Sequence, residues 1–343
     1  MAVKGGRGNE LKDNRKWGIR CVAIGGGTGL ATLLSGLKDH VGADANGMPA
    51  IEHLGAIVAV SDDGGSSGRL RDELQMPPPG DIRNCMVALS EDSNLLSRLF
   101  RHRFGGIGDL GGHNFGNIFL AALSELTGDF AEAVKLSSEI LASKGHIYPA
   151  TDADVRLAAE LSDGTVVRGE TEVGRVGASI KRLYLEPPDC DPMPDAITAI
   201  SQADMITVGP GSLFTSILPP LLVRGVPQAI MSSKALKVFV CNLMTQPGET
   251  DGMTANRHLE IVREYAPGLR FDQIVVNSQP ISELQSALYE QEGAEQIGVH
   301  GSISGETIEG ARIVYGNLLD AGEKVRHDPV KLAKTILSSV TAE

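Results

Sequence analysis

Ile19-Arg20-Cys21-Val22-Ala23-Ile24-Gly25-Gly26-Gly27-Thr28-Gly29-Leu30 is the stretch that decides the fold. The apolar run Ile19–Ile24 ends in a glycine loop, and a helix-like stretch, Leu30–Leu37, follows it. A helix N-terminus offers unpaired backbone N–H groups and a partial positive charge, so a diphosphate can dock there without a lysine. Glycine is suited to such a loop because a Cβ would hold the phosphate oxygens away from those amides. Gly25, Gly26, Gly27, Thr28, Gly29 and Leu30 are therefore candidate ligand-binding residues. The plainer alternative is a tight turn with no ligand. No Gly-Lys-Ser/Thr follows, which argues against a P-loop NTPase, and Leu30 stands where the dinucleotide fingerprint has its third small residue.

Outward from this loop, further strand-like runs are Leu54–Val60, Met205–Val208, Val226–Met231, Lys237–Cys241 and Gln273–Val276. Helical periodicity fits Ile82–Leu89, Leu95–Phe100, Asn114–Ser124, Phe130–Leu141, Met193–Ser201, Ser212–Leu222, Thr254–Tyr265 and Pro329–Val340. Strands alternating with helices predict an α/β fold, a doubly wound and mainly parallel sheet covered on both faces. Between residues 155 and 187 the pattern changes. Asp163-Gly164 separates two short runs as in a hairpin, and Ser179–Leu185 reads as another strand, so a small antiparallel insertion is expected. The expected organisation is one α/β domain over residues 17–343, preceded by a polar leader, residues 1–16, expected to be disordered.

In such a sheet, ligands collect at the carboxyl ends of the strands, near the point where the strand order reverses. Polar loops recur at the predicted strand ends. Leu54–Val60 runs into Ser61-Asp62-Asp63-Gly64-Gly65-Ser66-Ser67-Gly68, Met205–Val208 into Gly209-Pro210-Gly211-Ser212, and Lys237–Cys241 into Asn242. Asp62 and Asp63 could hold Mg²⁺ or ribose hydroxyls, or could cap the next helix. Ser66 and Ser67 could bond phosphate oxygens, and Arg69 could neutralise one or pair with Asp72 and Glu73. Asp81, after Pro77-Pro78-Pro79-Gly80, reads as an N-cap first and, with Asn84, as a site residue second. His113, Asn114 and Asn117 open another helix after the glycine-rich segment Gly105–Gly112 and are candidate ligand-contacting residues, a structural histidine being the plainer reading of His113. Gly209, Pro210, Gly211 and Ser212, with Thr215 and Ser216 beyond, repeat the strand–loop–helix device as a second phosphate or sugar seat. No Gly-x-Ser-x-Gly elbow or reactive-cysteine context is present.

Composition narrows the classes. The 343 residues are 42% hydrophobic and 22% charged, ordinary for a globular enzyme-like protein. A net charge of −12 argues against a nucleic-acid polymer as partner, although backbone amides can still bind a small anionic ligand locally. Cys21, Cys85, Cys190 and Cys241 form no CxxC pair, so neither zinc nor a disulfide framework is indicated and a reduced, cytoplasmic setting is expected. No run approaches the ~18 apolar residues of a membrane span. A homo-oligomer is left open.

Together, Gly25–Leu30, Val60–Arg71, Pro78–Asn84, Asn114–Asn117, Val208–Ser212 and Cys241–Gly248 resemble the family of 2-phospho-L-lactate transferase and the gluconeogenesis factors. The likeness runs from about Ile19 to the C-terminus. Val60–Arg71 and Met244–Thr250 look like the bacterial gluconeogenesis-factor branch. The resemblance implies a Rossmann-like fold with the ligand between two halves. It also implies a cytoplasmic protein that binds a UDP-sugar or a dinucleotide such as NAD and is needed for normal cell shape on gluconeogenic carbon sources. The transferase branch moves a phospholactyl group from a GDP-linked donor with Mg²⁺, which is the alternative. By position, Gly25–Gly29 would meet the diphosphate, and Asp62 and Asp63 would be nearest the metal or reacting centre, with Asp62 as the metal ligand. Gly209–Ser212 would form the opposite wall, with Asn242 lining the cleft. An NAD-dependent dehydrogenase is a weaker reading, since no acid stands ~20 residues beyond the loop in the place that binds the ribose.

Overall fold

A computed structural model describes residues 18–42, 49–91, 95–176, 180–298 and 305–340. The expected leader, residues 1–16, lies outside them. The strands are β1 (Ile19–Gly25), β2 (Ile51–Val58), β3 (His146–Pro149), β4 (Arg156–Leu161), β5 (Val166–Arg168) and β6 (Ile180–Glu186), then β7 (Met205–Val208), β8 (Leu236–Val240), β9 (Gln273–Asn277), β10 (Thr307–Ile308) and β11 (Ala311–Gly316).

Eight of them form one sheet in the order β10-β11-β9-β8-β7-β1-β2-β3, parallel throughout except for the β10–β11 pair. The chain steps outward from β1 to β2 and β3, then returns to the other side of β1 and steps outward through β7, β8 and β9. That is the doubly wound order 3-2-1-4-5-6, and its reversal point lies between β1 and β7. Cys21 pairs with Leu54 on one side and Met205 on the other, and the last five residues of β1 are buried, as a central strand of apolar residues requires. The helix Gly27–Leu37 packs on the helices Gly80–Leu89 and Pro329–Val340, while Pro194–Gln202 and Leu218–Leu222 pack against β1.

The antiparallel insertion is present as a separate three-stranded sheet, β5-β4-β6, closed by the Asp163-Gly164 turn. Other expectations need correction. Val226–Met231 is not a strand but most of the helix Val226–Ser232 in the crossover from β7 to β8. Gly225 enters it at φ 88°, and Pro227, lacking an N–H, suits a first helical turn and cannot serve an inner strand. Residues 65–68 are not loop: a helix starts at Gly65 and runs to Leu74, so Ser66 and Ser67 lie in its first turn. The expected helix Ser212–Leu222 begins as a wider π-helical turn, Leu213–Ile217. β3, β10, β11 and the helix Glu283–Glu292 carry no strong sequence periodicity and were not foreseen. Among the described residues no single helix is long and apolar enough to cross a membrane.

Candidate functional site

The site is assembled from the ends of β1, β2, β7 and β8. Gly26 caps the helix Gly27–Leu37 with extended backbone, and Gly27 has φ +64°, which favours glycine. A Cβ on Gly26 would stand 2.7 Å from Asp81 Oδ2 and 3.1 Å from the Ala59 methyl. A Cβ on Gly29 would run into the Pro210 carbonyl. The loops after β1 and β7 therefore touch, backbone against backbone, across the reversal point. Asn242 sets the second loop: its Oδ1 accepts from the Gly211 amide at 3.1 Å and its Nδ2 donates to the Gly211 carbonyl at 2.7 Å. Gln246 Nε2 donates to Ser212 Oγ at 2.8 Å.

Each of the two loops already receives a carboxylate. Asp81 is not an N-cap; Pro79 precedes its helix without a side-chain cap, and Asp81 instead reaches across to accept the Gly27 N–H at 2.7 Å. Burial first, and the Asp62 charge second, push Asp81 up to about 6, against the pull of Gly27, Arg83 and the Asn84 amide. Glu249 accepts the Phe214 N–H at 2.9 Å and also faces the Thr215 amide and the Ser212 hydroxyl; burial pushes it up to about 7. A third acid, Glu170 of the short helix Glu170–Val173, has Oε2 buried without a hydrogen-bond partner. Burial, then Asp81, Asp62, Asp63 and Glu249, hold it well above the usual carboxylate range. The sequence reading missed Glu249, which sits inside the quoted Met244–Thr250 stretch, and Glu170, which has no local signal.

Neither Asp62 nor Asp63 is the cap of the helix Gly65–Leu74, a place taken by Gly64. Asp62 Oδ1 accepts the Gly64 N–H at 2.8 Å and its charge faces Asp81 and Glu170. Asp63 Oδ1 is spent on Thr171, taking its N–H at 3.0 Å and its hydroxyl at 2.8 Å, which ties the insertion to the end of β2. These are hard oxygen donors, the class Mg²⁺ prefers. Among the described residues, however, no three His, Cys, Asp or Glu side chains converge to hold a metal ion by themselves. The arrangement fits a cation held by one or two carboxylates and completed by ligand phosphates and water, the usual Mg²⁺ pattern.

A second group of predicted residues forms a network beside the acids. Ser66 Oγ lies 3.1 Å from His113 Nδ1 and accepts the Asn114 N–H at 3.2 Å. Asn114 caps the helix Phe115–Thr127, its Oδ1 taking the Gly116 and Asn117 amides. Asn117 donates to Ser67 Oγ at 3.4 Å and accepts from Arg83 Nε at 3.2 Å. Burial first, and the Arg69 charge second, lower His113 from the ordinary imidazole range. Arg69 is exposed and reaches the Gly111 carbonyl at 2.9 Å, on the rim. Arg71 is buried on Asp154 at 2.6 Å and the Val155 carbonyl, away from the cleft.

A groove of about 470 Å³ opens at the reversal point, lined by Thr28, Gly29, Gly211, Ser212 and Asn242 on the loop side and by Met244, Tyr289, Arg326 and His327 beyond. The volume is that of a small-molecule site. Arg326 and His327 were not foreseen, because a distant segment brings them in.

The family model of 2-phospho-L-lactate transferase CofD matches residues 21–319. The chain is 44% identical over 325 residues to a gluconeogenesis factor of Halalkalibacterium halodurans, covering 92% of this chain and 95% of that one. It is 44% identical over 322 residues to the gluconeogenesis factor of Bacillus subtilis, covering 93% and 97%. A solved structure of a UPF0052 family member from Bacillus halodurans superposes with TM-score 0.85 at 42% identity, covering 94% of this chain and all of that one.

Proposed function

The chain belongs to the 2-phospho-L-lactate transferase CofD family, within which its relatives are gluconeogenesis factors, and from that premise we propose that it is a nucleotide-ligand-binding factor for a UDP-sugar or a dinucleotide such as NAD. The observation that carries this reading is the groove at the β1–β7 reversal point, where two glycine loops supply amides and hydroxyls and the far side supplies a wall of Met244, Tyr289 and Val325 beside the charged Glu292 and Arg326. A flat base against the wall and a diphosphate against the loops match that division. Gly27 and Phe214 already give their amides to Asp81 and Glu249, so the phosphates rest on the amides and hydroxyls that remain at Thr28, Gly29 and Ser212. The factor acts in the cytoplasm, in support of cell shape under gluconeogenic growth.

The acidic group Asp62, Asp81 and Glu170 favours a second reading, an Mg²⁺-dependent phospholactyl-type transferase using a GDP-linked donor. Bound Mg²⁺ would neutralise charge developing on the transferred group. Asp62 would hold it, and Asp81 would keep the glycine loop in place. Transfer of this kind needs positioning and charge stabilisation more than a nucleophile.

Calorimetric titration with UDP-N-acetylglucosamine, NAD and GDP, each with and without Mg²⁺, separates the two. Tight binding of the first or second with no product by mass spectrometry is the expected result. A GDP preference that requires Mg²⁺ and is lost in Asp62→Asn would replace it with the transferase. No binding of any of the three would refute both.

A further inference from the structure

A second cavity, about 650 Å³ against the 470 Å³ of the groove above, lies along the outer strand β3 and shares no lining residue with that groove. β3 forms its floor, and the helices Phe130–Ile140 and Pro194–Gln202 form its walls. β3 pairs on one side only, with β2, and an open edge strand invites pairing with other chains unless something covers it. The lining offers two kinds of surface. His53, His146 and Tyr148 form a run of rings, with centroids 4.6 Å apart from the first to the second and 6.3 Å from the second to the third. Asp129, Glu132, Glu139 and Asp195 bring carboxylates, while the cation of Lys135 leans on Glu132 at 3.8 Å. Such a lining is complementary to a basic segment that carries an aromatic anchor.

The chain holds one. Residues 1–17, outside the described residues, carry Lys4, Arg7, Lys12, Arg15 and Lys16 against Glu10 and Asp13, and end in Trp17. The described chain starts at one end of the cavity. Arg20 stands in register with His53 and donates to Gln202 Oε1 at 2.8 Å, and His53 and Gln202 both line the cavity. Seventeen extended residues reach about 55 Å, whereas the eleven-residue wall helix is about 16 Å long, so the segment can run the length of the floor. A polar segment that cannot build a core of its own can still be ordered by binding. We propose that residues 1–17 dock in this cavity, with Trp17 at the His53 ring and the basic side chains between the carboxylates, and so cover the free edge of β3.

Trp17 is the one tryptophan of the chain, so its fluorescence reports on the docking directly. In the full chain, acrylamide is expected to quench Trp17 severalfold less than free tryptophan amide, and added NaCl to weaken that shielding by screening the ion pairs. The salt readout needs no variant to fold. Glu139→Lys with Thr198→Lys puts a cation on each wall; both positions are exposed, and a lysine in the last turn of Phe130–Ile140 suits that helix. Shielding is expected to be lost in this double variant, shown folded by circular dichroism, and to return when Lys12→Glu and Lys16→Glu are added. Wild-type quenching equal to that of the free amide would overturn the proposal. So would shielding that ignores salt or survives the wall cations, or a loss that the leader substitutions do not reverse. Shielding that falls on dilution of the wild type would give the cavity to a second copy's leader and overturn docking within one chain.

Discussion

At Gly29 a single hydrogen stands where a methyl would meet the Pro210 carbonyl, so two loops from different crossovers can close on each other. Gly29→Ala is expected to destabilise the fold by about 1–3 kcal/mol, the cost of overpacking a rigid contact, and to abolish nucleotide binding. Urea unfolding and calorimetry check the two effects, and an unchanged urea midpoint would mean that the loops do not touch in solution. Glu249 gives a pH signature. Its carboxyl is raised from an ordinary 4.5 to about 7 by burial, so the folded state binds a proton that the unfolded state releases. Its contribution is therefore fully present below about pH 4.5 and is lost as pH rises through about 7, on the order of 3 kcal/mol in all. Glu249→Gln keeps an oxygen for the Phe214 amide and is expected to flatten stability between pH 5 and 8. A variant whose stability falls as steeply as the wild type's would assign the slope to another group. Asp62 and the glycine loops stood out as candidates in the sequence because each follows an apolar run, and Asp81 because it follows a proline-rich approach to a helix. The roles of Asp81 and Glu249 were not, because both are hydrogen bonds across the fold.

Elements position these side chains by how their ends are closed. Asn114 holds the first turn of the helix Phe115–Thr127 with one oxygen on two amides, and that turn presents Asn117 to Ser67 and Arg83. Asn114→Ala is expected to lose about 1–2 kcal/mol, with most of it restored in Asn114→Ser, which also caps. If serine were no better than alanine, the donation from Asn114 Nδ2 to the Arg101 carbonyl would be the important contact instead. The helix was legible from its periodicity. The segment Val226–Ser232 was misread because its run of apolar residues is short, and such runs suit strand and buried helix alike until a proline in the first turn is weighed.

For the whole molecule, the two halves share one sheet and one continuous buried core that runs from β2 through β1 and β7 to β9. Unfolding is therefore expected as one cooperative transition, with calorimetric and van't Hoff enthalpies in agreement. Two resolved transitions would divide the chain between β6 and β7 into separate domains. The alternation of apolar runs, glycine loops and helices determined by itself the α/β class, the small antiparallel insertion and the strand ends where polar loops gather, because those features depend on local periodicity and on backbone freedom at glycine. Tertiary structure alone decided which strand ends become neighbours and which acids face one another. It also decided that the segment carrying Arg326 and His327 closes the groove. These are contacts between residues far apart in the chain, and their energy depends on burial and on distance in space, neither of which is written in the order of the residues.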